Sequence, residues 1–166
     1  MKGQLQFYRC FVHAGHVVFS DKPSLALSVC GNGVVVTIWD RARRFGGMAH
    51  CIFPKSGPRQ RRTNYHADVA IPLLVRQFIS SSSRINHLEA QVFGGGSLRG
   101  VSEKRAARTL KAVRHILRRM RISVVSEDVG GAVGRKIIFN TFSGDTVVYK
   151  TKKVRLTDWA PEYLTG

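Results

Sequence analysis

Acidic residues are scarce in this chain. Ten Asp and Glu stand against 27 Lys and Arg, a net charge of +17 over 166 residues. That balance argues against basic partners and favours polyanions: nucleic acid, acidic helices or an anionic membrane surface. A basic face that only keeps the chain solvated is the alternative. Cysteine is also scarce. Cys10, Cys30 and Cys51 are odd in number and show no C-x-x-C spacing, which argues against a disulfide framework or a zinc knuckle. His13 and His16 have no nearby carboxylate or cysteine to complete a ligand set, so no metal site is expected there. No apolar run approaches the ~20 residues of a membrane span. Met1 to Gln4 lead into no secretory apolar segment, so a soluble cytoplasmic protein is expected. There are no internal repeats. An apolar fraction of 43% argues against disorder, and the length suits one domain.

The chain is organised around residues 24–53. Cys30 is followed by the small residues Gly31-Asn32-Gly33. Val34 to Ile38 and Met48 to Phe53 read as two strands of a hairpin joined by Asp40 to Gly46. A hairpin returns the chain to its start, so His50 is carried back towards Cys30. A cysteine in a Gly-rich bend facing a histidine is a candidate nucleophile–base pair. A single cysteine acting as a small buried hydrophobe is the competing interpretation.

Leu5 to Phe11 and His16 to Phe19 read as short strands, and Ser24 to Val29 as a third running into Cys30. Ala67, Ala70, Ile71, Leu74, Val75 and Phe78 mark one buried stripe of a helix over Tyr65 to Ser80. Pro72 inside it predicts a kink or a late start. Leu88 to Phe93 alternates as a strand does. Gly94-Gly95-Gly96 then reads as a tight turn under a packed neighbour, or as a nest of N–H groups for an anion. Ser102 is the expected cap of a second helix, whose stripe is Ala106, Leu110, Val113, Leu117 and Met120. Ile122 to Asp128, Arg135 to Thr141 and Thr146 to Lys152 read as strands, and residues 151–166 as a basic tail. Strands outnumber helices in mixed order, which predicts an α+β layered sandwich.

Several stretches resemble the CheD family, the chemoreceptor glutamine deamidases of bacterial and archaeal chemotaxis. They are Gly46-Gly47-Met48-Ala49-His50; Tyr65 to Leu74; Leu88-Glu89-Ala90-Gln91-Val92-Phe93-Gly94-Gly95; Val125 to Gly131; and Gly134-Arg135-Lys136 through Asn140-Thr141 to Gly144. They occur in the family's order and cover about residues 16–150. The resemblance implies one deamidase domain over residues 1–166, a β-sandwich with helices packed outside, similar to the catalytic domains of cytotoxic necrotizing factors. It assigns the nucleophile to Cys30 and the base to His50. The family threonine six residues before the cysteine corresponds to Ser24. Ala26 and Ser28 stand where the family has glycines, and Val29 where it has serine; a required positive φ there would cost strain.

The chemistry so implied is hydrolysis of a protein glutamine side chain by a thiol, which needs no metal or organic cofactor. His50 would take the Cys30 proton, Ser24 would hold the imidazole, and N–H groups of the Gly31-Asn32-Gly33 bend would stabilise the oxyanion. The expected partners are cytoplasmic helices of chemoreceptors, with a CheC-type phosphatase as a further one. The alternatives are a catalytically weak binding module with the same partners, or a basic polyanion binder. The last has no RNP, zinc-finger or helix-turn-helix signature, so nucleic acid is not the expected partner.

Overall fold

The structure, a computed structural model, describes residues 6–98 and 103–154. In chain order these form β1 (Tyr8–Phe11), β2 (Val17–Ser20), β3 (Ser24–Cys30), β4 (Val34–Asp40), β5 (Phe45–Cys51), α1 (Ala67–Ser80), β6 (Leu88–Gly94), α2 (Glu103–Arg119), β7 (Ser123–Val129), β8 (Gly134–Asn140) and β9 (Thr146–Thr151). The expected cap Ser102 and the tail beyond Val154 lie outside the described residues.

The strands make two sheets. One has the order β1-β3-β8-β9, the other β2-β5-β4-β6-β7. Most neighbours are antiparallel; β1 runs parallel to β3, and β6 parallel to β7. The helix α2 supplies the crossover that a parallel β6–β7 pair needs. The two sheets face each other, and both helices cover the outer face of the five-stranded sheet. This is the expected α+β sandwich with external helices.

The layering explains the composition of β4. Val34, Val36 and Ile38 pack under the helices, while Val35 points into the space between the sheets. A strand buried on both faces reads as a continuous β-branched run rather than an alternating one. β3 has only one deeply buried face. Ser24, Ala26, Ser28 and Cys30 alternate onto it, as a period of two requires. Neither Ala26 nor Ser28 has a positive φ; among the described residues the non-glycine ones that do are Arg44, Ser82 and Arg121. The substitutions for family glycines therefore cost no backbone strain.

Pro72 lies inside α1 without ending it. As the helix's sixth residue it forfeits one bond, to the Asp68 carbonyl. The buried stripe of α2 is Ala106, Thr109, Val113 and Leu117, with Leu110 and Met120 only half-buried. Thr109 is buried in a helix because its hydroxyl bonds back to the Arg105 carbonyl at 2.9 Å.

Candidate active site

The hairpin β4–β5 pairs Val35 with His50 and Val34 with Cys51. Continuing that ladder by one residue puts Gly33 opposite Ile52, two positions from Val35 on the strand, where the His50 ring reaches it diagonally. A Cβ added to Gly33 would stand 2.7 Å from His50 Nε2. The Gly33 carbonyl in turn accepts the Cys30 thiol hydrogen at 2.9 Å. Cys30 and His50 thus share Gly33 as a common neighbour, and the imidazole reaches it only because the residue lacks a side chain. No hydrogen bond joins Cys30 directly to His50 among the described residues.

Three short segments close over Cys30. Gly95 N–H donates to the Gly33 carbonyl at 2.7 Å, and Gly130 N–H to the Gly94 carbonyl at 2.8 Å. Leu98 N–H donates to Asn32 Oδ1 at 2.8 Å. Gly94 has φ 102° and packs so tightly that an added Cβ would stand 2.7 Å from Cys30 Sγ. The triple glycine is therefore the tight turn under a packed neighbour; the Gly95 N–H is already committed and offers nothing to an anion.

This closure overturns one expectation. Cys30 is fully buried at the end of a strand, not placed in the Gly-rich bend that follows it. Burial pushes its thiol up to about 12, although the Arg135 guanidinium pulls the other way. Burial also drives His50 down to about 4, with His13 and His16 acting in the same sense. In this state the pair is neutral thiol and neutral imidazole, not thiolate and imidazolium.

The histidine is held by a residue other than the expected one. Ser28 Oγ–H donates to the Val12 carbonyl at 2.6 Å. Its oxygen is then the acceptor for His50 Nδ1–H at 3.1 Å. That assigns the hydrogen to Nδ1 and leaves Nε2, the nitrogen facing Gly33, as the basic one. Ser24 lies at the far end of β3. Six residues of strand separate it from Cys30, about 20 Å at strand rise. Its hydroxyl bonds the Lys22 carbonyl at 3.1 Å and exchanges a bond with Ser20 Oγ at 2.9 Å. The expected Ser24–His50 hydrogen bond is absent among the described residues, because a straight strand cannot bring position 24 back to position 50.

Arg135 was not foreseen. It pairs across the sheet with Cys30 and is 2% exposed. Its guanidinium donates to Asp128 Oδ1 at 2.9 Å and to the Gly130 carbonyl at 2.9 Å. A positive charge is thereby fixed beside the buried thiol and tied to one of the glycine turns. The Gly31 and Asn32 N–H groups donate to no backbone carbonyl of the described residues and remain the candidate oxyanion donors. No cluster of three metal-ligating side chains occurs among the described residues, and none of their helices is long and apolar enough to cross a membrane.

The comparisons with known proteins bear on the family. A family described as CheD chemotactic sensory transduction matches residues 52–150. A probable chemoreceptor glutamine deamidase of Anaeromyxobacter dehalogenans is 35% identical over 147 residues, covering 86% of this chain and 82% of its own. A probable chemoreceptor glutamine deamidase of Trichlorobacter lovleyi is 34% identical over 76% of this chain and 80% of its own. One from Clostridium acetobutylicum is 31% identical over 69% and 73%.

Proposed function

Because the chain belongs to the CheD family, we propose that it is a chemoreceptor glutamine deamidase, a protein-glutamine glutaminase working through Cys30 and His50. The single observation that carries the assignment of residues is the meeting of the two around Gly33, with His50 Nε2 turned to that residue and Nδ1 held by Ser28.

The reaction proceeds from the closed state by opening of the Gly94–Gly96 turn, which admits the amide. His50 Nε2 takes the Cys30 proton, and the thiolate forms a bond to the amide carbon. Negative charge collects on the amide oxygen, where the Gly31 and Asn32 N–H groups stabilise it. His50 returns the proton to the nitrogen, the C–N bond breaks and ammonia leaves. A water, deprotonated by His50, then attacks the thioester; the C–S bond breaks, giving glutamate and the thiol. The burial that keeps Cys30 protonated at rest protects it from oxidants and from stray alkylation.

The substrates are glutamines on the cytoplasmic helices of chemoreceptors, and the protein works in the cytoplasm as one domain. A CheC-type phosphatase is a further partner of this reading. The test is mass spectrometry of a receptor cytoplasmic fragment, with ammonia measured in parallel. Amide-to-acid conversion is expected with the wild type and none with Cys30→Ala. Conversion that survives Cys30→Ala sinks the assignment.

A further inference from the structure

The helix α2 turns its buried stripe to β4 and β7 and leaves a groove on its outer side. Pro54, Ala107 and Leu110 supply apolar surface to this groove, a cavity of about 750 Å³. Lys55, Arg108, Lys111 and Arg118 stand around it. Among the described residues these four cations form no ion pair, whereas the neighbouring Arg114 is held by Glu127 at 2.6 Å. An apolar strip bordered by unpaired cations suits an amphipathic helix whose flanks are acidic. A nucleic-acid duplex would use the charge and leave the apolar strip idle.

The groove adjoins the active site. A Cβ added to Gly95 would stand 3.5 Å from Leu110 Cδ2. Leu110 therefore borders the groove and backs the turn whose Gly94 packs on Cys30. From Ala107 to Arg118 the helix runs about 16 Å, enough to meet roughly three turns of a partner helix.

We propose that this groove docks an acidic amphipathic helix of the substrate protein, seating it beside the turn that covers Cys30. The docking rests on charge and shape alone; the identification of that helix with a chemoreceptor rests on the deamidase reading. The charge excess that the catalytic residues do not explain acquires a role here.

The test uses the full chain carrying Cys30→Ala, so that binding is read without turnover. Three fluorescent probes are titrated: a helix-forming peptide with an apolar stripe flanked by glutamates, the same composition scrambled to destroy the stripe, and a short DNA duplex. The striped peptide is expected to bind about tenfold more tightly than either control, with affinity falling as salt rises. Arg108→Glu with Lys111→Glu should weaken it by about tenfold or more. Both side chains are exposed, so an unchanged melting temperature accompanies that loss. Equal binding of all three probes, or affinity indifferent to the charge reversal, overturns the proposal. Kinetics on the receptor fragment separate the two readings. A raised KM with unchanged kcat in the charge-reversed enzyme supports the groove. An unchanged KM removes the groove and leaves the deamidase standing. If no fragment is deamidated at all while the striped peptide binds selectively, the docking stands and the deamidase reading falls.

Discussion

At the scale of single residues, the candidate site turns on what holds His50 and what charges Cys30. Ser28 and Ser24 lie on the same buried face of β3, but only Ser28 touches the imidazole. Ser28→Ala is expected to lower turnover by about one to two orders of magnitude, since the ring loses the acceptor that fixes its tautomer. Ser24→Ala should leave single-turnover acylation unchanged. A loss in Ser24→Ala equal to that in Ser28→Ala would reverse the assignment. Arg135 bears on the other partner. An opposite charge next to a thiol favours its ionised form, so Arg135→Met should move the midpoint of Cys30 alkylation upward. Arg135→Lys keeps a cation there and should restore part of that shift, which a purely packing role would not do. Iodoacetamide labelling across a pH series, read at Cys30 by peptide mapping, measures both variants.

At the scale of elements, the glycine turn of residues 94–96 decides whether Cys30 is covered. Gly94→Ala places a methyl group against Cys30 Sγ and the Gly33 carbonyl, at a φ of 102° that alanine rarely adopts. The backbone alone costs about 1–3 kcal/mol, and the contact adds to it. The expected result is a lower melting temperature together with faster alkylation of Cys30, because the turn relieves the clash by lifting off. Lower stability with unchanged alkylation would mean that this turn does not cover the thiol. Most elements could be read from the chain. The hairpin over residues 34–53 follows from its β-branched run and its return through Gly46-Gly47, and that hairpin alone brings His50 to the Cys30 end. The partner of His50 was legible too, in principle. A period of two places Ser24, Ala26, Ser28 and Cys30 on one face, and strand rise puts only Ser28 close to the cysteine. A family pattern, read by position, pointed instead to Ser24. Burial of Cys30 could not be read locally, since it is produced by Gly94 and Gly130, some 60 and 100 residues further along. Arg135 was hidden for the same reason: its significance comes from a cross-strand register that no local pattern encodes.

At the scale of the whole molecule, the buried neutral groups of the site make folding depend on pH from both sides. His50 ordinarily titrates near 6.5 but in the fold only near about 4. Above pH 6.5 neither folded nor unfolded chain holds a proton there, and stability is complete with respect to this group. Between pH 6.5 and 4 only the unfolded chain takes the proton, so stability falls by about 1.4 kcal/mol per unit. Asp128 acts in the same direction at still lower pH, its carboxyl being held below its ordinary value by Arg135 and Lys150 against the opposing cost of its burial. The thiols set the alkaline side. Burial pushes Cys30 and Cys51 from 9.0 to about 12. Below pH 9 both are protonated in either state. From 9 to 12 only the unfolded chain ionises, and stability falls as pH rises, by about 1.4 kcal/mol per unit for each thiol. Urea unfolding across pH should therefore give a plateau between about pH 7 and 9 with a falling limb on each side. In His50→Gln the acid limb between 6.5 and 4 should flatten, whatever the variant's absolute stability, because glutamine does not titrate. In Cys51→Val the alkaline limb should become shallower without vanishing, since Cys30 and Cys10, whose thiols burial also raises, remain. An acid limb of unaltered slope in His50→Gln would show that His50 is solvated and protonated in the folded protein. In that case the closed, neutral pair is not the resting state of the enzyme.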